Sequence, residues 1–189
     1  TTWVFKLREG VTFSNGEHFT ADAVVNAVDY LISPEALTEV VAQMLSSMSG
    51  ARAIDDYTVE ITTKTPNVLF PREAASLRMV APEHWRTVGR EGFAREPHGT
   101  GPFRVVEWEP AVVRMEAFEE SWRPPHFKKL DVYAVPDGPQ RIQGVISGQL
   151  DIVLGTIPDQ MEELEAAGHQ WVSIPGGGIY TFSMILNRE

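Results

Sequence analysis

The chain has 189 residues, 43% of them hydrophobic and 22% charged, a length that suits one or two domains and burial of about 70% of its surface. Its formal net charge of −10, with no strongly basic window, excludes binding along a phosphate backbone and leaves a neutral or cationic partner or a solubility role. It has no cysteine, which excludes disulfides, thiolate metal sites and thiol catalysis, and no apolar run approaches the ~18 residues of a membrane span.

At the N-terminus, "TWVFKL" alternates bulky apolar with polar residues, the period of a half-buried strand. This pattern is already under way at Thr1, so any targeting segment is expected upstream and the chain reads as an internal piece. Thr20 follows the turn-rich "SNGEH" and is expected to cap a helix, "ADAVVNAVDYLI", with Val24, Val25, Val28 and Leu31 on one face. Ser33-Pro34 ends that helix and is expected to start another, running to about Met48. "ARAIDDYTVEITTK" reads as two short strands joined in a hairpin at Asp55-Asp56. "PNVLFPREAASLRMVAPEHWRTVG" reads as helix in two pieces, broken at Pro71 and Pro82.

Next, "GTGPFRVVEWEP" is a Gly-Pro turn feeding a strand with Phe103 and Val105 facing inward and Trp108 a candidate third, and "AVVRMEAFEE" is its candidate partner. "LDVYAVP" reads as a strand, "GPQRIQGVISGQL" as a helix and "DIVLG" as a short apolar strand. "IPDQMEELEAAG" reads as a helix, and "QWVSIP" and "IYTFSMILN" as strands. The second half thus has the strand–helix alternation of an α/β unit, and no internal repeat is visible.

Few residues suggest chemistry. His18, His84, His98, His126 and His169 sit at spacings that match no common zinc pattern, so structural surface or loop roles are expected and no metal site. "GPFR" and "GGG" lack the strand–turn–helix context of a dinucleotide site, and Gly176–Gly178 read as a flexible joint before a strand. There is no G-x-S-x-G elbow. The pairs Asp55-Asp56, Glu119-Glu120 and Glu162-Glu163 are adjacent, and adjacent side chains on regular elements point apart, so they read as solvated surface. No catalytic residue and no cofactor is expected.

Five blocks carry a family resemblance. "WVFKLREGVTFSNGEHFTADAVV" resembles the W-x-F-x-L-R-x-G-V-x-F block of the family 5 extracellular solute-binding proteins, the peptide, dipeptide and nickel receptors of ABC importers. "GTGPFRVVEWEP" resembles their G-T-G-P-[YF] strand, and "FEESWRPPHFKKLDVYAVPD" the segment that follows it. "RIQGVISGQLDIV" and "YTFSMILN" are similar to two later blocks, in the same order. There are two local departures: Ala23 stands where an acidic residue usually caps the first helix, and Ala111 where a Gly usually turns the hairpin.

The resemblance implies an α/β fold, a fragment of a two-lobe architecture like that of periplasmic binding proteins. Residues 1–82 would be a small accessory subdomain and 83–178 part of the first lobe. Residues 179–189 would be the strand crossing toward an absent second lobe. It implies the substrate-binding component of an ABC importer, not an enzyme, which captures a peptide or similar small solute between two lobes and delivers it to permease subunits in the membrane. An extracytoplasmic location, periplasmic or lipid-anchored, goes with it. Expected ligand contacts are Tyr180, Ser183, Thr156 and Gly155, the last two at the end of the "DIVL" strand, where open α/β sheets place ligands. Tyr180 has a competing role in hinge packing, and Thr156 as a helix cap. Gly176, Gly177 and Gly178 would absorb the backbone rotation of lobe closure. Uncovered strand edges would favour self-association. The alternatives are a metal-free hydrolase, which needs an acid–base pair not seen here, and a protein-interaction module.

Overall fold

The computed structural model describes residues 1–155 and 158–172. The chain divides into two compact units, Thr1–Ala134 and Val135–Glu189. The expected subdomain limit near residue 82 falls inside the first unit, at the start of a helix.

In the first unit the alternating N-terminal segment forms strand β1 (Thr2–Lys6), with Trp3 and Phe5 turned inward. The expected hairpin is present as β2 (Met48–Asp55) and β3 (Thr58–Thr63). The sheet order is β1-β3-β2, antiparallel throughout, so Trp3 lies opposite Ile61 and Phe5 opposite Val59. Helix α1 (Ala21–Ile32) covers this face with Val24 and Val28, which share one core with Val59, Ile61, Leu45, Met48 and Phe70. The Phe70 ring lies 6.4 Å from that of Trp3 and 6.3 Å from that of Phe5. Each large apolar side chain removed from water here contributes about 1.5–3 kcal/mol.

Thr20 occupies the N-cap position of α1, as expected, but its side chain makes no capping bond. Instead the Ala21 N–H donates to the Asp56 carbonyl in the hairpin turn at 2.8 Å. That turn is tightened by Asp55, whose carboxylate accepts the Tyr57 N–H at 2.9 Å.

The expected second helix through Met48 is not formed as one piece. Pro34–Ala36 makes a single 3-10 turn, α2 spans only Val40–Met44, and β2 begins at Met48. Leu37, Val40 and Met44 are exposed, whereas Leu45 and Met48 are 1% exposed. No continuous apolar stripe runs along the segment, and pairing of Met48 with Thr63 in the sheet wins over weak β-branched helix propensity. Pro71 and Pro82 lie in the first turns of α3 (Phe70–Glu73) and α4 (Pro82–Arg95), so they start helices where breaks were expected. Within α4, Gly89 has φ 65° and ψ −173°, a conformation open to glycine, and it interrupts the helix.

A second sheet closes the unit. Strands β4 (Phe103–Glu109), β5 (Val112–Ala117) and β6 (Lys129–Tyr133) form an antiparallel meander in chain order. A bulge between Val105 and Glu107 shifts the register by one residue, which puts Trp108 on the face of Phe103 and Val105. Trp108 nevertheless remains 58% exposed, against the inward role considered for it.

The second unit contains α5 (Gly138–Ile146) and α6 (Met161–Ala166), whose core is Ile142, Val145 and Leu164. Asp137 caps α5 by accepting the Gln140 N–H at 2.8 Å. The expected strand "DIVLG" is not formed: Ile152 and Leu154 are about four-fifths exposed, in irregular backbone. A five-residue apolar run pairs only where a neighbouring strand lies beside it, and the described residues of this unit offer none. Trp171 and Val172, from the expected "QWVSIP" strand, also lie outside regular structure, and "IYTFSMILN" falls outside the described residues.

Candidate functional site

Of the expected ligand contacts, Gly155 is described; Thr156, Tyr180 and Ser183, and the hinge residues Gly176, Gly177 and Gly178, lie outside the described residues. Gly155 is exposed with φ +73°, a left-handed conformation that suits glycine. Its carbonyl accepts from Arg141 Nη2 at 3.4 Å. Arg141 Nη1 donates to the carbonyls of Val135 at 2.8 Å and Pro136 at 2.9 Å. One guanidinium on α5 therefore ties the entry of that helix to the backbone that follows it. Its Nε is buried without a hydrogen-bond partner. The sequence held the signal, since Arg141 opens the "RIQGVISGQLDIV" block, but that block carries no side-chain role by itself. Exposed Ile152 and Leu154 leave an apolar surface on the segment leading to Gly155.

The "GTGPF" block is held from both sides within the first unit. The Ser14 N–H donates to the Gly99 carbonyl at 2.9 Å, the buried Ser121 hydroxyl to the Thr100 carbonyl at 3.1 Å, and the Phe118 N–H to the Pro102 carbonyl at 2.8 Å. Its glycines thus sit at a junction between the loop after β1 and the start of the second sheet.

A cavity of about 310 Å³ opens between α1 and α4. Its walls include Tyr30 and Trp85, whose rings meet edge-on at 4.9 Å, and Phe93, 5.4 Å from Trp85. Arg90 and Glu39 pair across the rim at 2.5 Å, and Asn26 Nδ2 is buried without a partner. The volume is at the lower end for small-molecule pockets. Aromatic walls and one amide donor suit a small apolar group bearing an acceptor, and the lining offers no nucleophile paired with a base. Nearby, Arg86 of α4 donates to Asp22 of α1 at 2.7 Å, a bond that raises the guanidinium above its ordinary pKa and fixes the two helices together. Sequence periodicity placed these residues on helices but gave no sign of the gap between them.

Comparison with known proteins sets this geometry in context. A model of the bacterial extracellular solute-binding proteins, family 5 Middle, matches residues 1–189. The glutathione-binding protein GsiB of Pectobacterium atrosepticum is 34% identical over 126 residues, which covers 65% of this chain and 24% of the relative. The nickel-binding periplasmic protein of Escherichia coli K12 is 26% identical over 161 residues, covering 82% of this chain and 30% of the relative. Among solved structures, an ABC transporter substrate-binding protein from Sinorhizobium meliloti superposes with a TM-score of 0.73 at 25% identity, covering 88% of this chain and 35% of that one. The chain therefore spans about a quarter to about a third of the length of the proteins it matches.

Proposed function

The chain belongs to the bacterial extracellular solute-binding proteins, family 5, and we propose that it supplies one part of a two-lobe receptor that captures a peptide or similar small solute for an ABC importer. The observation that carries this reading is the family match along all of residues 1–189. Relatives named for binding glutathione and nickel support small solutes as the ligand class.

On this reading residues 1–82 are the accessory subdomain, 83–178 belong to the first lobe, and 179–189 cross toward the second. Gly155 and Thr156, on the segment anchored by Arg141, and Tyr180 and Ser183 on the crossing strand, face the ligand. Gly176, Gly177 and Gly178 take up the rotation as the lobes close. The function is binding without chemistry: enclosure removes water, and each buried hydrogen bond then counts more fully. The closed form is the one presented to membrane permease subunits, outside the cytoplasm. Self-association through uncovered strand edges is the expected behaviour of this chain by itself.

Calorimetric titration of the purified protein with short peptides, glutathione and a nickel–histidine complex tests the reading. The intact two-lobe receptor is expected to bind one of these classes saturably, weakened by Tyr180→Ala and Ser183→Ala. Residues 1–189 alone are expected to bind no tighter than about millimolar, because one cleft wall leaves each polar contact competing with water. Turnover of any of them, or no binding across all three classes, would sink it.

A further inference from the structure

We propose that His84, Glu96 and His98 form a binding site for a divalent metal ion of the zinc type, within the first unit and separate from the segment that carries Gly155. The sequence spacing matches no zinc motif, because the three residues come together only through the break at Gly89 inside α4. After that break the second half of the helix folds back on the first and puts Phe93 5.4 Å from Trp85. His84 stands in the first turn of α4, whereas Glu96 and His98 follow its last residue, Arg95. One ring nitrogen of each histidine and a carboxylate oxygen of Glu96 lie within 4.8 Å of one another. The two imidazoles meet edge-on, with centroids 4.7 Å apart.

The distances fit a metal better than an ion pair. His98 Nε2 and Glu96 Oε1 are 3.5 Å apart, too long for a good hydrogen bond. In a tetrahedral site with ligands about 2.1 Å from the ion, donor atoms sit about 3.4 Å apart, so this pair already has the spacing of one edge. Two imidazoles and one carboxylate, with a fourth position left to water, is the ligand set of open zinc sites. Glu96 is 72% exposed at its side chain and His98 only 18%, so the site is reachable from solvent on one side and walled on the other.

The rings are also held as metal-binding rings are held. Metal-ligating histidines bond their second nitrogen to a protein group, which fixes the tautomer and the ring plane. Here His98 Nδ1 shares a hydrogen bond with Ser14 Oγ at 3.1 Å, which leaves Nε2 for an ion. His84 Nε2 lies 3.0 Å from the Glu96 carbonyl, so in the tautomer that donates this bond Nδ1 is the nitrogen left for an ion. Ser14 is itself fixed, since its N–H donates to the Gly99 carbonyl. The start of α4 is fixed too, because Glu17 accepts the N–H groups of Glu83 and His84 at 2.9 and 3.0 Å. Both imidazoles are therefore oriented before any ion arrives, and an ion would lock the two ends of α4 to the loop after β1.

The test uses the purified protein stripped with a chelator, titrated with zinc chloride by calorimetry and with cobalt(II) by visible absorption. One equivalent is expected, with the intense d–d bands of four-coordinate cobalt, and a thermal midpoint raised by about 5 °C at a hundredfold excess over Kd. Glu96→Gln and His98→Gln should abolish uptake, and Ser14→Ala should weaken it roughly tenfold. His126→Gln should leave it unchanged. If His98→Gln misfolds by circular dichroism, the exposed Glu96→Gln decides alone. Absence of cobalt bands, or uptake of zinc that survives Glu96→Gln, would overturn the proposal. Ion bound elsewhere, as in a ligand cleft, gives that second result.

Discussion

The first unit contains two three-stranded antiparallel sheets of similar length, and they are stabilised differently. In β1-β3-β2, Val59 and Ile61 on the central strand are 1% exposed beneath α1 and Phe70. In β4-β5-β6, Val112 is buried, but Val106, Trp108, Val132 and Tyr133 are about half exposed. Both sheets carry exposed cross-strand ion pairs, Arg52–Glu60 in the first and Arg114–Glu107 and Arg104–Glu116 in the second. Such pairs contribute little, so the difference lies in the covering layer. The bond to Glu107 raises Arg114 above its ordinary pKa. A ladder of backbone bonds does not make a core by itself; the layer packed on it does.

The comparison is sharpened first by deleting one ring packed on the first sheet, Phe70 of α3, and one ring of the second sheet, Trp108. Phe70→Ala should cost about 3–5 kcal/mol of unfolding free energy, because Trp3 and Phe5 lose their shared partner. Trp108→Ala should cost no more than about 0.5 kcal/mol. Urea unfolding of both variants measures this, and equal losses would end the distinction. A smaller effect is expected at the cap of α4, where Glu17→Ala removes the acceptor of two helix N–H groups. A loss of about 1 kcal/mol should appear in the same experiment.

The smallest effect concerns the β2–β3 turn. Hydrogen bonds from the Thr58 side chain and the Tyr57 N–H hold the Asp55 carboxyl below its ordinary pKa. The unfolded chain binds that proton more readily than the folded one. The contribution is therefore complete above the ordinary value of about 3.9 and is lost as pH falls through it toward the folded value. Thermal midpoints from about pH 6 to about pH 3 should fall less steeply in Asp55→Asn than in the parent. Parallel curves would remove Asp55 from the account.

Much of the first sheet was legible because its signals are local. The period of "TWVFKL", the Asp55-Asp56 turn and the Val24–Val28 stripe each need only a few neighbouring residues. The meander was legible strand by strand, and its bulge was not, since a one-residue shift leaves no mark in composition. The α2 region misled because Leu45 and Met48 have helical spacing yet are buried by the sheet. Long-range polar contacts were invisible for the same reason. Glu17 reads as part of a turn, and nothing near it names the helix 66 residues later whose N–H groups it accepts. His84 and His98 read as two unrelated surface or loop residues until the break at Gly89 within α4 folds the chain back and puts their rings together. Of the expected ligand contacts, Gly155 could be placed, and its anchor Arg141 was present in a block whose pattern names no partner.

The order β1-β3-β2 also sets a timetable for synthesis. β1 leaves the ribosome before the strand it pairs with, since Thr2 lies opposite Thr62. At 5–20 residues per second that interval is about 3–12 s. The β2–β3 hairpin needs no such wait, because hairpins close in about 1–10 μs once both strands are out. Trp3 and Phe5 therefore wait seconds for Ile61 and Val59, the residues they lie opposite on β3. In that interval β1 is open to pairing with a neighbouring nascent chain, because the fold supplies no partner for it until β3 is out.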